Sequence, residues 1–278
     1  MGGERKGSVN VFEGIWQNYL REAEEPEFNA QQVLFAERKN EALKAILPPA
    51  PARVLECGSG SGEVSAWMAA NGYEVVLLDA SPSALAFAEK RFQREGLNGE
   101  FVLGNVYDLP FEDESFDIVT SFGLLEHFED VDKVIAEMAR VTRPGGMVFA
   151  DIVIERFSVQ TLGNVFNAAV RVAYFTLKGK PTEGVREAKA LFKPDFYENN
   201  YSPDAYTAFM EQAGLRGVQF RGNRPFPGLT LPGFADRLYV RFMRAMMPLW
   251  RKFDSSGSQF ALKFGAGWWA WGRKPGSQ

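Results

Sequence analysis

The sequence predicts an α/β fold built on a doubly wound, mostly parallel sheet. Two observations carry this. From residue 53 onward, short apolar runs bounded by turn residues alternate with helical stretches, the pattern of successive strand–helix–strand units. The first run continues as Val54-Leu55-Glu56-Cys57-Gly58-Ser59-Gly60-Ser61-Gly62-Glu63, where three glycines alternate with small residues. Glycine at this spacing lets the chain turn sharply and lets a ligand lie against bare main chain. The helix behind it offers unpaired N–H groups. Such a corner of an open parallel sheet is where nucleotides bind; the alternative is a tight turn with no ligand.

The elements follow in order. Residues 8–30 read as a helical arm with Val11, Phe12, Ile15, Trp16, Tyr19 and Leu20 at helical spacing, followed by the acidic patch Glu22-Ala23-Glu24-Glu25-Pro26-Glu27. A second helix over 30–47 stops at Pro48-Pro49. Strands are predicted at 53–56, 73–79, 101–105, 116–122 and 147–154. Helices are predicted at 64–71, from Ser81-Pro82 to about residue 95, and at 131–141, the last closed by Arg143-Pro144-Gly145-Gly146. Farther on, Ser202-Pro203 opens a helix, and strands are expected at 215–221 and 265–273.

With 278 residues, 46% of them apolar, the chain can bury one large core, so residues 51–278 are read as one domain behind an N-terminal arm of residues 1–50. A single cysteine excludes an internal disulfide and a cysteine-based zinc site, and no metal is expected. Met1-Gly2-Gly3-Glu4-Arg5-Lys6 lacks an apolar signal core. The longest apolar run, residues 165–177, is broken by Arg171 and falls short of the ~18 residues that span a bilayer. A cytoplasmic location is expected. Residues 1–154 carry 13 Lys+Arg against 26 Asp+Glu, and residues 155–278 carry 18 against 9. That asymmetry points either to an anionic partner of the second part or to mutual neutralisation of the two parts.

The ligand of the glycine corner is not expected to be a dinucleotide. The spacing is G-x-G-x-G rather than G-x-G-x-x-G, and Glu56 would repel a pyrophosphate while suiting a ligand with an amino group and a positive centre. Asp79 ends the second strand, 17 residues after Gly62. An acid there can take both hydroxyls of a ribose, cap the next helix, or do both. Gly104-Asn105-Val106, after the third strand, places a polar side chain and a main-chain N–H where an adenine edge could be read.

In these residues the chain resembles the class I S-adenosylmethionine-dependent methyltransferases. Glu56 with Gly58, Gly60 and Gly62 looks like the family's first motif, and Asp79 like its ribose-binding acid. Asn105-Val106 stands where the family usually has Asp-Ala or Asp-Val, and residues 116–119 and 143–148 look like its fourth and fifth strand signatures. The resemblance covers about residues 50–155 and a C-terminal strand pair. It implies a seven-stranded sheet with an antiparallel last strand, S-adenosyl-L-methionine as cofactor, and an in-line displacement of methyl from sulfur. Ser59, Ala80, Ser81 and Phe122 are expected to line the cofactor site, with Tyr19 above it on a lid-like arm. The neutral amide of Asn105 keeps a carbonyl that can accept the adenine amino group. His127, the only histidine, lies in Gly123-Leu124-Leu125-Glu126-His127-Phe128 after the fourth strand. It is a candidate general base for a phenol, thiol or amine, or else part of the cofactor shell.

Two insertions depart from the family pattern, about 156–200 and 223–262, after the fifth and sixth strands. They are expected to form a cap over the acceptor pocket. The first holds a helix over 159–177 and the aromatics Phe192, Phe196, Tyr197 and Tyr201. In the second, Leu238, Tyr239, Phe242, Met243 and Met246 are expected on one helix face, with Arg237, Arg241 and Arg244 on another. This composition suits an apolar or aromatic small-molecule acceptor. Such a basic amphipathic helix can also touch an anionic membrane, which would suit a lipid or quinone-like acceptor; otherwise it packs on the sheet. Nucleic acid is not expected: the first half is acidic, and no Asn/Asp-Pro-Pro-Tyr motif follows the fourth strand. A non-catalytic cofactor-binding subunit remains a distinct alternative.

Overall fold

A computed structural model describes residues 7–21, 29–153, 156–192 and 197–276. The acidic patch at 22–27, the first six residues and Phe196 lie outside the described residues. Two helices lead in, α1 (Gly7–Arg21) and α2 (Ala30–Ile46). The α/β core follows as β1 (Arg53–Cys57), α3 (Glu63–Ala70), β2 (Glu74–Asp79), α4 (Pro82–Glu95), β3 (Glu100–Leu103), β4 (Phe116–Phe122), α5 (Val131–Val141) and β5 (Thr142–Val153). The first insertion forms α6 (Val159–Leu177) and α7 (Pro181–Ala190), before α8 (Pro203–Gln212) and β6 (Arg216–Asn223). The second forms α9 (Gly233–Ala245), α10 (Met247–Asp254) and α11 (Gln259–Phe264), before β7 (Gly267–Arg273).

Among the described residues the seven strands make one sheet in the order β3-β2-β1-β4-β5-β7-β6. The first five are parallel, and β7 runs antiparallel to both neighbours. The sheet is the doubly wound one that the alternation predicts. Strands covered on both faces read as continuous apolar runs, as Val75, Val76, Leu77 and Leu78 of β2 do; all four are buried. Their side chains alternate between the two faces. One face packs Leu55, Val76, Val119 and Trp268 against Val134 and Met138 of α5 and Tyr206 of α8. The other packs Val54, Leu77, Phe149, Trp269 and Trp271 against Leu43 of α2, Val64 of α3 and Phe92 of α4. Truncating one of these buried tryptophans to Ala would cost about 3–5 kcal/mol. The order reverses beside β1, so a crevice opens above the C-terminal ends of β1 and β4.

The arm read over 8–30 is described as helix α1 up to Arg21. Asn29 accepts from Gln32 N and starts α2 with a capping box, so α2 joins the core while α1 is separate. Three expectations are corrected. Arg143-Pro144-Gly145-Gly146, expected as a turn, belongs to β5; Gly145 N donates to Lys274 O and Lys274 N to Gly146 O, at 2.9 and 3.0 Å. The basic helix near 237–252 breaks at Met246 into α9 and α10, with Pro248 in the first turn of α10. The buried face of α9 is Asp236, Val240 and Met243, whereas Leu238 and Phe242, expected on one face with Met243, are 65% and 52% exposed.

Candidate active site

The glycine corner closes β1 onto α3. Gly58, Gly60 and Gly62 have φ of 67°, 51° and 64°, a left-handed conformation that L side chains resist. Space restricts it further: a Cβ on Gly62 would come within 2.9 Å of Ala88 Cβ and Leu77 Cδ2. The loop is fixed to β2, because Gly58 N and Ser59 N both donate to Leu78 O, at 2.8 and 3.1 Å. Asp79 ties it a second time. Its Oδ2 accepts from Gly60 N at 2.8 Å and its Oδ1 from Ser81 N at 2.9 Å. Burial raises the Asp79 pKa, and the backbone donors from Gly60 and Ser81 oppose that. Ser81 caps α4 by accepting from Ala84 N at 2.9 Å. Ala80, beside it, is exposed.

Glu56 turns inward. Its Oε2 accepts from both Ser65 N and Ser65 Oγ in the first turn of α3. Burial raises its pKa to about 7, against the pull of Ser65 and of the Lys39 charge. Lys39 comes from α2 and stands 5.6 Å from the centre of the Phe122 ring. Phe122 pairs in register with Asp151 of β5. Burial raises the Asp151 pKa too, with Lys39 and Arg224 opposing it, and Asn223 donates to Asp151 Oδ1 at 2.8 Å. Glu126 completes this acidic group. It is 2% exposed, its Oε1 accepts from Val153 N at 3.3 Å, and its Oε2 has no hydrogen-bond partner among the described residues. Burial first, and then the nearby Asp151, push it up to about 8.

His127 closes the short 3-10 turn Leu125–His127. Its Nδ1 lies 2.9 Å from Tyr197 O. A carbonyl only accepts, so we assign the proton of the neutral ring to Nδ1, which leaves the lone pair on Nε2. Burial lowers the His127 pKa, so the neutral ring dominates at pH 7. Phe12 of α1 covers it, with ring centroids 5.0 Å apart.

Helix α1 roofs the corner. A Cβ on Gly60 would come within 3.0 Å of Trp16 Cζ2. Trp16 and Tyr19 pack on Phe87 of α4, at 5.6 and 6.2 Å between centroids. Asn105 uses its side chain in its own turn, accepting from Tyr107 N at 3.0 Å, and Val106 is buried. A donor cofactor fits this corner on two observations. The loop is bare backbone held in the left-handed region, and the buried Ser59 Oγ has no hydrogen-bond partner among the described residues. Sequence reasoning missed Lys39, Glu126 and Asp151. The one local signal was an acid, Asp151, inside an otherwise apolar strand; the others meet only through the fold.

The comparisons agree with this geometry. Residues 55–150 match the family described as "Methyltransferase domain". Methyltransferase GfsG of Streptomyces halstedii is 32% identical over 190 residues, 66% of this chain and 60% of that protein. The demethylmenaquinone methyltransferase of Thermus thermophilus is 31% identical over 183 residues, 65% of this chain and 77% of that protein. This chain therefore spans three fifths of the first relative and more than three quarters of the second. Among solved structures, the [4+2]-cyclase SpnF superposes with a TM-score of 0.58 at 17% identity, over 98% of this chain and 95% of that one; at that identity the likeness speaks for the fold alone. The chain belongs to the class I S-adenosyl-L-methionine-dependent methyltransferase family, with S-adenosyl-L-methionine as its methyl donor.

Proposed function

We propose that this chain methylates an apolar or aromatic small molecule by in-line displacement in the crevice above β1 and β4. The observation that carries the reading is the roofed glycine corner. Its loop, the Ser81 that braces its strand-end acid, and the chain's only histidine are each contacted by one helix, α1. When bound, the donor supplies an electrophilic methyl group on a sulfonium sulfur. Asp79 would accept the ribose hydroxyls, and Ser59 Oγ would donate to the carboxylate of the methionine part. Glu56, ionised in part near neutral pH, favours the cationic groups. Gly58, Gly60 and Gly62 admit the ligand to the main chain, Ala80 and Ser81 flank the ribose, and Asn105, Val106 and Phe122 enclose the adenine side. Trp16 and Tyr19 on α1 exclude water, which aligned methyl transfer requires. His127 Nε2 would take the proton from the acceptor nucleophile.

The acceptor class rests on two supports. An aromatic cluster between α2 and the second insertion includes Phe35, Phe226 and Tyr239. One relative acts, by its name, on demethylmenaquinone. The test is transfer of labelled methyl from S-adenosylmethionine into fractionated host extract. Label in an apolar small-molecule fraction supports the reading; label in protein or nucleic acid overturns it. Donor binding without any transfer would favour a non-catalytic subunit.

A further inference from the structure

Helix α6 carries its polarity in reverse. Its polar side chains point inward, to a strap at residues 227–230. Gln160 Oε1 accepts from Gly228 N at 2.9 Å, Asn167 Nδ2 donates to Gly228 O at 3.0 Å, and Asn167 Oδ1 accepts from Thr230 N at 2.6 Å. Its apolar side chains point outward: Leu162, Val165, Phe166 and Leu177 are 48%, 57%, 43% and 90% exposed. Their spacing, with the exposed Ala169 and Ala173 between them, keeps all six on one helical face. A helix on a water-facing surface shows the opposite arrangement.

Helix α9 adds a second stripe. Phe234, Leu238 and Phe242, four residues apart, are 72%, 65% and 52% exposed. The same strap joins the two helices, because Tyr239 OH donates to Pro227 O at 3.0 Å. Charge says what covers the stripes. Residues 156–180 hold four basic side chains and no acid; of the four, Arg171 and Lys180 pair with Glu187 and Glu183 of α7. Residues 224–253 hold six basic side chains and one acid, Asp236, which is buried and bonded to Gln31. Arg237 and Arg241, beside the α9 stripe, have no ion-pair partner among the described residues. Among those residues no helix is long and apolar enough to cross a membrane.

We propose that the outer faces of α6 and α9 seat the protein on a bilayer surface carrying anionic lipid. The apolar stripes enter the headgroup boundary while Arg237 and Arg241 stay among the phosphates. The inference deepens the proposed apolar acceptor, which the same bilayer would dissolve. Vesicle binding needs neither donor nor acceptor, so either proposal can fail alone.

The test is sedimentation with vesicles of phosphatidylcholine, alone or mixed with phosphatidylglycerol. Binding should be at least about tenfold stronger to the anionic vesicles and should weaken as salt rises. The pairs Phe166→Ser with Leu177→Ser, and Arg237→Glu with Arg241→Glu, should each reduce it by about tenfold or more. Both pairs lie on exposed positions, and calorimetric affinity for S-adenosylhomocysteine should stay unchanged, showing that the variants are folded. No vesicle binding by the unmodified protein, or binding indifferent to both pairs, overturns the proposal. So does a concentration-dependent dimer that the serine pair abolishes, which would assign the stripes to a second copy.

Discussion

Glu13 of α1 and Ser81 at the start of α4 are joined directly: Ser81 Oγ donates to Glu13 Oε2 at 2.6 Å. Ser83 Oγ donates to the other oxygen, also at 2.6 Å. These bonds, the one from Ser81 first, pull the Glu13 pKa down to about 2. Glu13 is therefore an ionised latch at any ordinary pH, bonded to the same Ser81 whose N–H holds Asp79.

Glu13→Ala should loosen α1 without unfolding the core. Two net hydrogen bonds at about 1 kcal/mol each correspond to roughly a thirtyfold faster release of S-adenosylmethionine. Stopped-flow displacement with unchanged thermal stability of the core is the check. Unaltered release would mean that α1 is packing rather than a lid.

His127→Ala should lower turnover by roughly 10²–10⁴ if the ring is a general base, with donor affinity retained in calorimetry. Because burial lowers the His127 pKa below its ordinary 6.5, the acid limb of the rate profile should lie below pH 6.5. Equal loss of turnover and donor binding would move His127 into the cofactor shell.

Stability should fall as pH rises from about 6.5 to about 8. Glu56 and Glu126 have folded-state values raised to about 7 and 8. Between the ordinary carboxyl range and those values the folded chain holds more protons than the unfolded one, so each stabilises at low pH and loses that contribution on the way up. His127 acts in the other direction, but only below pH 6.5. Glu126→Gln, which keeps the shape of the neutral acid, should flatten the slope of melting temperature against pH. An unchanged slope would contradict the burial of an acidic Glu126.

The sheet was legible because buried parallel strands are unbroken apolar runs, as at Val75 to Leu78, and because Gly58, Gly60 and Gly62 mark a turn that few other residues could make. Helix α7 was not read, since Glu183, Arg186, Glu187 and Lys189 leave it little apolar periodicity. Leu238 and Phe242 were grouped with Met243 on one helix face by hydrophobicity alone. Their actual direction depends on the buried Asp236, which Gln31 holds from 205 residues away in sequence. The Lys39, Glu126 and Asp151 group comes from three separate elements, so its one local mark is the acid Asp151 inside an otherwise apolar strand.

The measurement closest to the centre of this account is calorimetric titration of the protein and of Asp79→Ala with S-adenosylhomocysteine. One site per chain is expected, weakened by well over tenfold when the Asp79 carboxylate is removed, because that group braces Gly60 and, at the proposed site, would take the ribose hydroxyls. Undiminished affinity in Asp79→Ala, or no binding by the unmodified protein, would contradict the placement of the donor at the glycine corner.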